Sequence, residues 1–173
     1  MTIPASTAEV VVIGINDTPH DWSGEVRYGL FTLAGAYLQD EIRAVRLPAN
    51  AATPLAPINR ELWERMGRSQ AGTFALLARE GACVAQHRLL RARFKDVSFV
   101  APVIEVSRQD ESVVFRADTF VWGVCLDIDG DAGLADNVFD LLPGIPYAIP
   151  WPRAAADPQI VRIGSRDILR YPG

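Results

Sequence analysis

The chain has 173 residues, of which 49% are hydrophobic and 22% charged, so it has enough apolar material for one large domain or two small ones. A formal net charge of −4 without a basic stripe argues against a nucleic-acid partner. No apolar run of transmembrane length and no leader pattern occurs, so we expect no membrane partner and no signal peptide in this chain. The cellular compartment stays open.

The only cysteines are Cys83 and Cys125. No histidine stands at zinc-ligand spacing from them, which excludes a structural zinc site. Because each lies inside an apolar, strand-like run, the sequence favours buried free thiols over a disulfide.

The first half of the chain reads as short strands separated by turns. Ala8–Ile15 is rich in β-branched residues and predicts a strand buried on both faces or nearly so. Asn16-Asp17-Thr18-Pro19 ends it, because Asn and Asp side chains bond the backbone two residues on and proline fixes φ. The later predictions for this half are a strand at 24–33, an edge strand at 53–58, a helical turn at 60–68, and strands at 72–80 and 82–94 joined by Gly81.

The segment 36–47 fits two structures. Leu38, Ile42 and Val45 are spaced as on one face of a helix. The alternation after Ile42 equally fits a half-buried strand that ends at Pro48. We favour the strand, because its neighbours are strands joined by short turns.

The second half restarts the strand pattern at Phe99, with strands predicted at 103–108 and 112–117. The stretch Phe115–Trp151 then predicts a three-strand antiparallel meander around an acidic turn that contains glycine. A period of two in its first strand would place five side chains on one face: Phe120, Trp122, Val124, Leu126 and Ile128. Strands at 159–163 and 167–169 are expected to close a sheet.

The order of these elements indicates the fold class. Roughly six strands, a short connection and roughly six more strands, without interleaved long helices, indicate antiparallel sheets folded as sandwiches. We therefore predict an all-β protein of two tandem immunoglobulin-like β-sandwich domains, residues 1–98 and 99–173.

Five aspartates cluster between residues 127 and 140: Asp127, Asp129, Asp131, Asp136 and Asp140. Their spacing invites a calcium-binding loop, but an EF-hand loop needs Gly at its sixth position and Glu at its twelfth. Counting from the first of these aspartates, Ala and Val stand there, which excludes the EF-hand. A looser calcium site on a β-turn and a hairpin tip with solvated carboxylates both stay open.

No constellation predicts catalysis. Glycoside hydrolysis needs two carboxyl groups facing one sugar ring across a cleft, whereas these acids share one hairpin. His20 in a loop and His87 in a strand have no nucleophile motif beside them. Phosphate loops and dinucleotide fingerprints are absent, so we predict no catalytic residue, no cofactor and no metal site.

The four tryptophans raise a sugar-binding interpretation, because flat aromatic rings stack on pyranose rings. Trp122 alternates with apolar neighbours and is predicted to lie in the core. Trp22, Trp63 and Trp151 are the candidates for carbohydrate contact. The same three side chains fit equally well as the cover of a seam with another domain.

One motif matches a known family. It runs Leu134-Ala135-Asp136-Asn137-Val138-Phe139-Asp140-Leu141-Leu142-Pro143-Gly144. It resembles the F-S-D-N-x-F-D-L-L-P-G segment of the C-terminal immunoglobulin-like domain of β-mannosidases, which belong to the second glycoside hydrolase family. It departs from that segment at Leu134 and Ala135, where the family usually has Phe and Ser. The first half is similar to the sandwich domain just before that one, through Asn16-Asp17-Thr18, Leu47-Pro48-Ala49-Asn50 and Phe94-Lys95-Asp96.

The residue types of this motif predict a structural role. Asn137 or Asp136 would cap the turn backbone, Phe139 and Leu141 would point into the core, and Pro143-Gly144 would reverse the chain. The positions that match the family are Asp136, Asn137, Phe139, Asp140, Leu141, Leu142, Pro143 and Gly144.

The resemblance also implies where the chemistry lies. In the family, the catalytic glutamates sit on an upstream (β/α)₈ barrel, which needs roughly 250 residues and cannot fit in this chain. This implies a non-catalytic C-terminal region that packs against and supports the barrel of a retaining β-mannosidase-type enzyme. Two other interpretations stay open: a stand-alone module that binds a mannose-containing glycan, and a structural immunoglobulin-like protein.

Overall fold

The computed structural model describes residues 10–109, 111–130, 132–152 and 155–166. The chain divides into two compact units. The first comprises the residues up to Phe31 together with Tyr37–Arg91, and the second comprises Thr32–Ala36 together with the residues from Ala92 onward. The predicted domain boundary between residues 98 and 99 stays a prediction.

The described part of the first unit is built from strands and one short helix. They are β1 (Val11–Asn16), β2 (Trp22–Thr32), β3 (Tyr37–Leu47), β4 (Ala51–Pro57), α1 (Arg60–Met66), β5 (Ala71–Arg79) and β6 (Ala82–Leu90). One sheet has the order β1-β4 and the other the order β3-β2-β5-β6. The strand predicted at 36–47 is thereby confirmed over its helical alternative.

The core of the first unit lies between these two sheets. Val26, Tyr28 and Leu30 alternate along β2 and are fully buried, so they share one face of the strand. Ala56 of β4 and Trp63 of α1 belong to the same cluster. Burying one such large apolar side chain contributes about 1.5–3 kcal/mol to stability, so this interface holds the two sheets together.

Strand β1 is less buried than its sequence predicts. Ile13 and Ile15 are 57% and 63% exposed, while Gly14 and Asn16 are buried. The prediction of burial on both faces is wrong, because exposed Ile13 and Ile15 alternate with buried Gly14 and Asn16, so one face of β1 is open in the described part of the unit. The beginning of the predicted strand, residues 8 and 9, lies outside the described residues.

The second unit has a 3-10 turn at Phe94–Asp96 followed by strands. In its described part these are β7 (Ile104–Gln109), β8 (Ser112–Ala117), β9 (Val121–Cys125), β10 (Val138–Leu141), β11 (Tyr147–Pro150) and β12 (Arg162–Ile163). The sheets have the orders β10-β9-β12 and β11-β8-β7. The core cluster takes side chains from both sheets. The strand predicted at 167–169 lies outside the described residues.

The predicted three-strand meander over Phe115–Trp151 is wrong. β10 pairs with β9, but β11 pairs with β8 in the other sheet. Pro143 forms a parallel bridge to Ala117, and the Gly144 N–H donates to the Ala117 carbonyl at 2.7 Å. Gly144 has φ +66°, a conformation that favours glycine, so the chain turns there and crosses to the second sheet instead of folding back beside β10.

The predicted alternation along β9 also fails at one point. Val121 and Val124 both lie in the core, although they are three residues apart, and Trp122 is only half-buried. Gly123 has φ +65°, and the register of β9 against β10 shifts at this place. A bulge of this kind changes which face the following side chains occupy. Ile128, predicted to share the inner face, is 68% exposed.

Both cysteines are free thiols, as predicted, but neither is fully buried. Cys83 is exposed and Cys125 is half-buried. Cys83 lies on β6, the edge strand of its sheet, so its side chain meets solvent. Partial desolvation nevertheless raises the pKa of the Cys83 thiol, which lowers the fraction of reactive thiolate.

Each unit therefore consists of two sheets with an apolar core between them. Antiparallel pairs join β1 to β4, β2 to β3, β5 to β6, β7 to β8, β8 to β11, and β9 to both β10 and β12. The prediction of an all-β chain with immunoglobulin-like sandwiches is confirmed.

Gly29 gives a test of the β2–β3 pairing. A Cβ added to Gly29 would lie 1.8 Å from the Gln39 carbonyl oxygen, a backbone atom that cannot swing away. We expect Gly29→Ala to destabilise the protein by at least about 2 kcal/mol, measured by urea unfolding. Glu25→Ala, an exposed change on the same strand, should shift stability by less than about 0.5 kcal/mol. Equal effects of the two changes would contradict this packing.

Candidate functional site

The loop between β9 and β10 is closed by the side chain of Asn137. Its Oδ1 accepts hydrogen bonds from the backbone N–H groups of Asp127 at 2.7 Å and Leu126 at 3.2 Å. Its Nδ2 donates to the Asp127 carbonyl. One amide therefore satisfies three backbone groups on the opposite arm of the loop, which is the capping role that the sequence assigned to Asn137 or Asp136.

Asp127 shapes the same loop from the inside. Its Oδ1 accepts from the Asp129 N–H at 3.2 Å, and its Oδ2 accepts from the Ala132 N–H at 2.7 Å. Both carboxylate oxygens are thus directed at the backbone of their own turn. Asx-type bonds of this kind stabilise turns locally.

The other two motif aspartates reach different strands. Asp140 Oδ1 accepts from the Gly123 N–H at 2.9 Å, which fixes the bulge in β9. Asp136 accepts from the hydroxyl of Tyr147, so it ties the start of the motif to β11. Asp136 is therefore not a turn cap but a link between the two sheets of the unit.

The apolar residues of the motif lie in the core. Phe139 is 5% exposed and its ring stacks on that of Tyr147, with centroids 4.7 Å apart and planes 15° apart. Leu141 and Leu142 are 0% and 3% exposed. The motif thus anchors one sheet edge in the core and directs its polar groups at the main chain.

The acidic cluster offers no assembled cation site in the described part of the chain. No group of three or more His, Cys, Asp or Glu side chains there converges well enough to hold a metal ion. The geometry favours turn-stabilising carboxylates over the looser calcium site that the sequence left open. Asp131 lies outside the described residues.

Two of the three tryptophan candidates cannot offer a ring face to a sugar. Trp63 is 1% exposed, and its indole N–H donates to the Ala71 carbonyl at 3.1 Å. Trp151 is 8% exposed and donates to the Ala156 carbonyl at 3.0 Å. For both, the prediction of carbohydrate contact is contradicted by burial, because each ring fills the core of its own unit.

Trp22 and Trp122 are half-buried. The Arg79 guanidinium lies over the Trp22 ring, 5.0 Å from its centroid, and an added Cβ at Gly24 would lie 2.4 Å from the same ring. A sugar that stacks on Trp22 would have to displace this cation–π contact. Trp122 packs against Phe94 with ring centroids 4.4 Å apart, so it belongs to a cluster of aromatic side chains.

Both histidines lie on the surface. His87 is exposed on β6, and His20 is exposed in the loop after β1. In that loop Asn16 acts as the sequence predicts, because its Oδ1 accepts from the Thr18 N–H at 3.1 Å. Asn16 Nδ2 donates to the carbonyls of His20 at 2.9 Å and Leu47 at 3.0 Å, which joins the loop to the end of β3.

A carboxylate network on β2 and β3 has no counterpart in the sequence predictions. Glu41 accepts from the Tyr28 hydroxyl at 2.6 Å, from Gln39 Nε2 at 2.8 Å and from Arg43 at 2.7 Å. Tyr28 and Glu41 are direct cross-strand partners, so only the strand register could have revealed the pair. Chiefly the Tyr28 hydroxyl, then Gln39 and Arg43, lower the pKa of the Glu41 carboxyl to about 2.

Among the described residues, no helix is both long enough and apolar enough to cross a membrane.

Residues 8–96, slightly more than half of the chain, match the family described as Mannosidase Ig/CBM-like domain. The chain belongs to the mannosidase Ig/CBM-like family. The resemblance to β-mannosidase sandwich domains is thereby confirmed, and the chain is an immunoglobulin-like accessory region.

A solved structure repeats the fold of this mannosidase Ig/CBM-like chain. The β-D-mannosidase from Dictyoglomus thermophilum aligns with a TM-score of 0.72 and 20% sequence identity, over 85% of this chain and 18% of that one. At this identity the likeness shows the fold. The chain spans less than a fifth of that enzyme's length. No curated protein matches the chain in sequence.

Among the loop residues, Asn137 is the one whose substitution should lower the free energy of unfolding most. We expect Asn137→Ala to lower the free energy of unfolding by about 2–3 kcal/mol, because three hydrogen bonds to the opposite arm are lost. Asn137→Asp keeps the acceptor but loses the donor and should fall between Ala and wild type. Val138→Thr, at an exposed neighbour, is the control in chemical denaturation. A loss at Asn137 no larger than at Val138 would contradict the closure role.

Glu41 gives a pH-dependent test. Its pKa in the folded state, about 2, lies below its ordinary value of 4.5, so the network stabilises the protein above that ordinary value. The contribution is lost as pH falls from about 4.5 towards about 2. In thermal unfolding, Glu41→Gln should melt below wild type at neutral pH, and the gap should close in that acid range.

Tyr28→Phe removes the first hydrogen-bond donor to Glu41, so the lowered pKa of Glu41 should rise towards its ordinary value. In the Tyr28→Phe background, the melting-temperature gap caused by Glu41→Gln should therefore close at higher pH. A melting-temperature gap between wild type and Glu41→Gln that is the same at neutral and acid pH would contradict the network.

Proposed function

We propose that this chain is the non-catalytic C-terminal part of a β-mannosidase-type glycoside hydrolase, and that it packs against and supports a catalytic barrel of the parent enzyme. The observation that carries the proposal is the family match over residues 8–96, together with the sandwich fold common to this chain and a β-D-mannosidase. The motif at 134–144 supports the same assignment for the second unit, because it resembles the terminal domain of that family.

The side chains of the motif support a structural task. Asp127, Asp140 and Asn137 bond to backbone groups, and Phe139 and Leu141 lie in the core. A retaining glycosidase needs two carboxyl groups about 5–5.5 Å apart on either side of a sugar ring. Carboxylates that close turns in their own hairpin do not meet that requirement, so the catalytic pair belongs to the barrel.

The first unit carries a surface suited to packing against a barrel. Ile13 and Ile15 lie two residues apart on β1 and are more than half exposed. Large apolar side chains adjacent on one face are typical of interaction surfaces. In the parent enzyme these two isoleucines would become buried against the neighbouring domain.

A glycan-binding alternative rests on Trp22. It is the half-buried member of the three tryptophan candidates, and the family description includes carbohydrate-binding-module-like domains. In this alternative a mannose-containing glycan stacks on Trp22 after Arg79 moves aside. Titration calorimetry with manno-oligosaccharides separates the two functions: heat that disappears in Trp22→Ala supports binding, and absence of heat at millimolar ligand rejects it.

The first test is activity. We expect the isolated chain to show no turnover of an aryl β-mannoside, since the barrel supplies the catalytic glutamates in this proposal. Turnover that is abolished by substitution of an aspartate of the β9–β10 hairpin, with the fold intact by circular dichroism, would overturn the assignment.

The second test compares the isolated chain with the longer protein. Ile13→Ser/Ile15→Ser should leave the melting temperature of the isolated chain almost unchanged, because both side chains are exposed there. In the parent enzyme the same change should lower the melting temperature and the half-life of β-mannosidase activity. Glu25→Gln is the matched polar control. An open reading frame without a barrel, or no effect of the double variant in the parent, would contradict the proposal.

A further inference from the structure

We propose that Asp129-Gly130 is a site of spontaneous covalent modification, at which the aspartate converts to isoaspartate through a cyclic succinimide. It is the only Asp-Gly step in the 173-residue sequence. Both residues are exposed in the turn between β9 and β10. This site is separate from the proposed packing role of the chain.

The geometry leaves both reacting groups accessible. Gly130 has φ +77°, a conformation that favours glycine, and both Asp129 and Gly130 are exposed to solvent. Among the described residues, no hydrogen bond engages the Gly130 N–H or the Asp129 carboxyl. The neighbouring aspartates differ, because the carboxylates of Asp127 and Asp140 are bonded to backbone N–H groups.

The reaction needs no partner other than water. The Gly130 nitrogen attacks Cγ of Asp129 in its acid form. The N–Cγ bond forms, the Cγ–OH bond breaks, and the amide proton leaves with the hydroxyl as one water molecule. Water then adds to one of the two ring carbonyls: cleavage at Cγ restores aspartate, and cleavage at the original peptide carbon leaves the main chain running through the β-carbon. The overall composition is unchanged.

The modified chain is one carbon longer inside the turn that Asp127 holds. The two N–H groups that this carboxylate accepts, on Asp129 and Ala132, lie on either side of the modified bond. The longer path should stretch the Ala132 contact, which measures 2.7 Å in the unmodified turn.

The experiment ages the folded chain at neutral pH and body temperature and measures isoaspartate. The probe is methyl transfer from labelled S-adenosylmethionine by a protein isoaspartate methyltransferase. Electron-transfer fragmentation then locates the modified bond. We expect the mass of the aged peptide to stay unchanged before labelling. Methyl incorporation should rise with ageing time, and the modified bond should map between residues 129 and 130.

Two variants keep the assignment falsifiable. Asp129→Glu should lose the signal, because the ring that glutamate would form is larger. Asp157→Glu should keep it: Asp157 is 88% exposed but precedes Pro158, whose nitrogen has no proton. A signal that persists in Asp129→Glu, or that appears only after the chain is unfolded in urea, would overturn the proposal. Circular dichroism before ageing verifies that both variants are folded.

Discussion

Closure of the β9–β10 loop by one half-buried amide is the constraint on which the second unit depends. Asn137 satisfies the backbone of Leu126 and Asp127 just where β9 ends, and Asp140 holds the bulge at Gly123 in the middle of that strand. β9 is the central strand of its sheet, so both partners are positioned by these contacts. These side-chain hydrogen bonds stabilise the loop, because backbone groups that lose their water without gaining another partner would destabilise the folded state.

Several polar side chains in the described part of the chain bond to main-chain groups of their own unit. Carboxylates that in an active site would face a substrate here accept from main-chain N–H groups, and two indole N–H groups donate to carbonyls within their own units. Glu41 joins a buried tyrosine hydroxyl to the surface of the β2–β3 pair. This pattern agrees with an accessory region of the mannosidase family, because these polar side chains stabilise the fold and do not face a substrate.

The period of two was enough to predict the class of fold and most strands, because alternation follows directly from strand geometry. It failed where a single residue changes the rule. Gly123, at positive φ, shifts the alternation of side chains along β9. Gly144, also at positive φ, directs the chain to the other sheet. Neither conformation can be recognised from the spacing of apolar residues. The partner of β11 is also a non-local choice, which no local pattern contains.

The site was predicted in outline and corrected in detail. Residue types predicted Asn137 or Asp136 as a cap and Phe139 as core, and the structure assigns the cap to Asn137. They could not separate Trp63, which fills a core, from Trp22, which lies near the surface, since an indole serves either place. The Glu41 network was invisible because it depends on the register that sets Tyr28 opposite Glu41.

The pairing of β9 with β12 has a consequence for biosynthesis. β9 ends at Cys125 and its partner β12 is Arg162–Ile163, so this partner is synthesised almost forty residues after β9. During translation the ribosome would release β9 with one edge still open. Such late, long-range pairing is slow, and an unpaired edge invites association with other chains. Until β12 is made, the second unit of a nascent chain therefore carries an open sheet edge that needs protection.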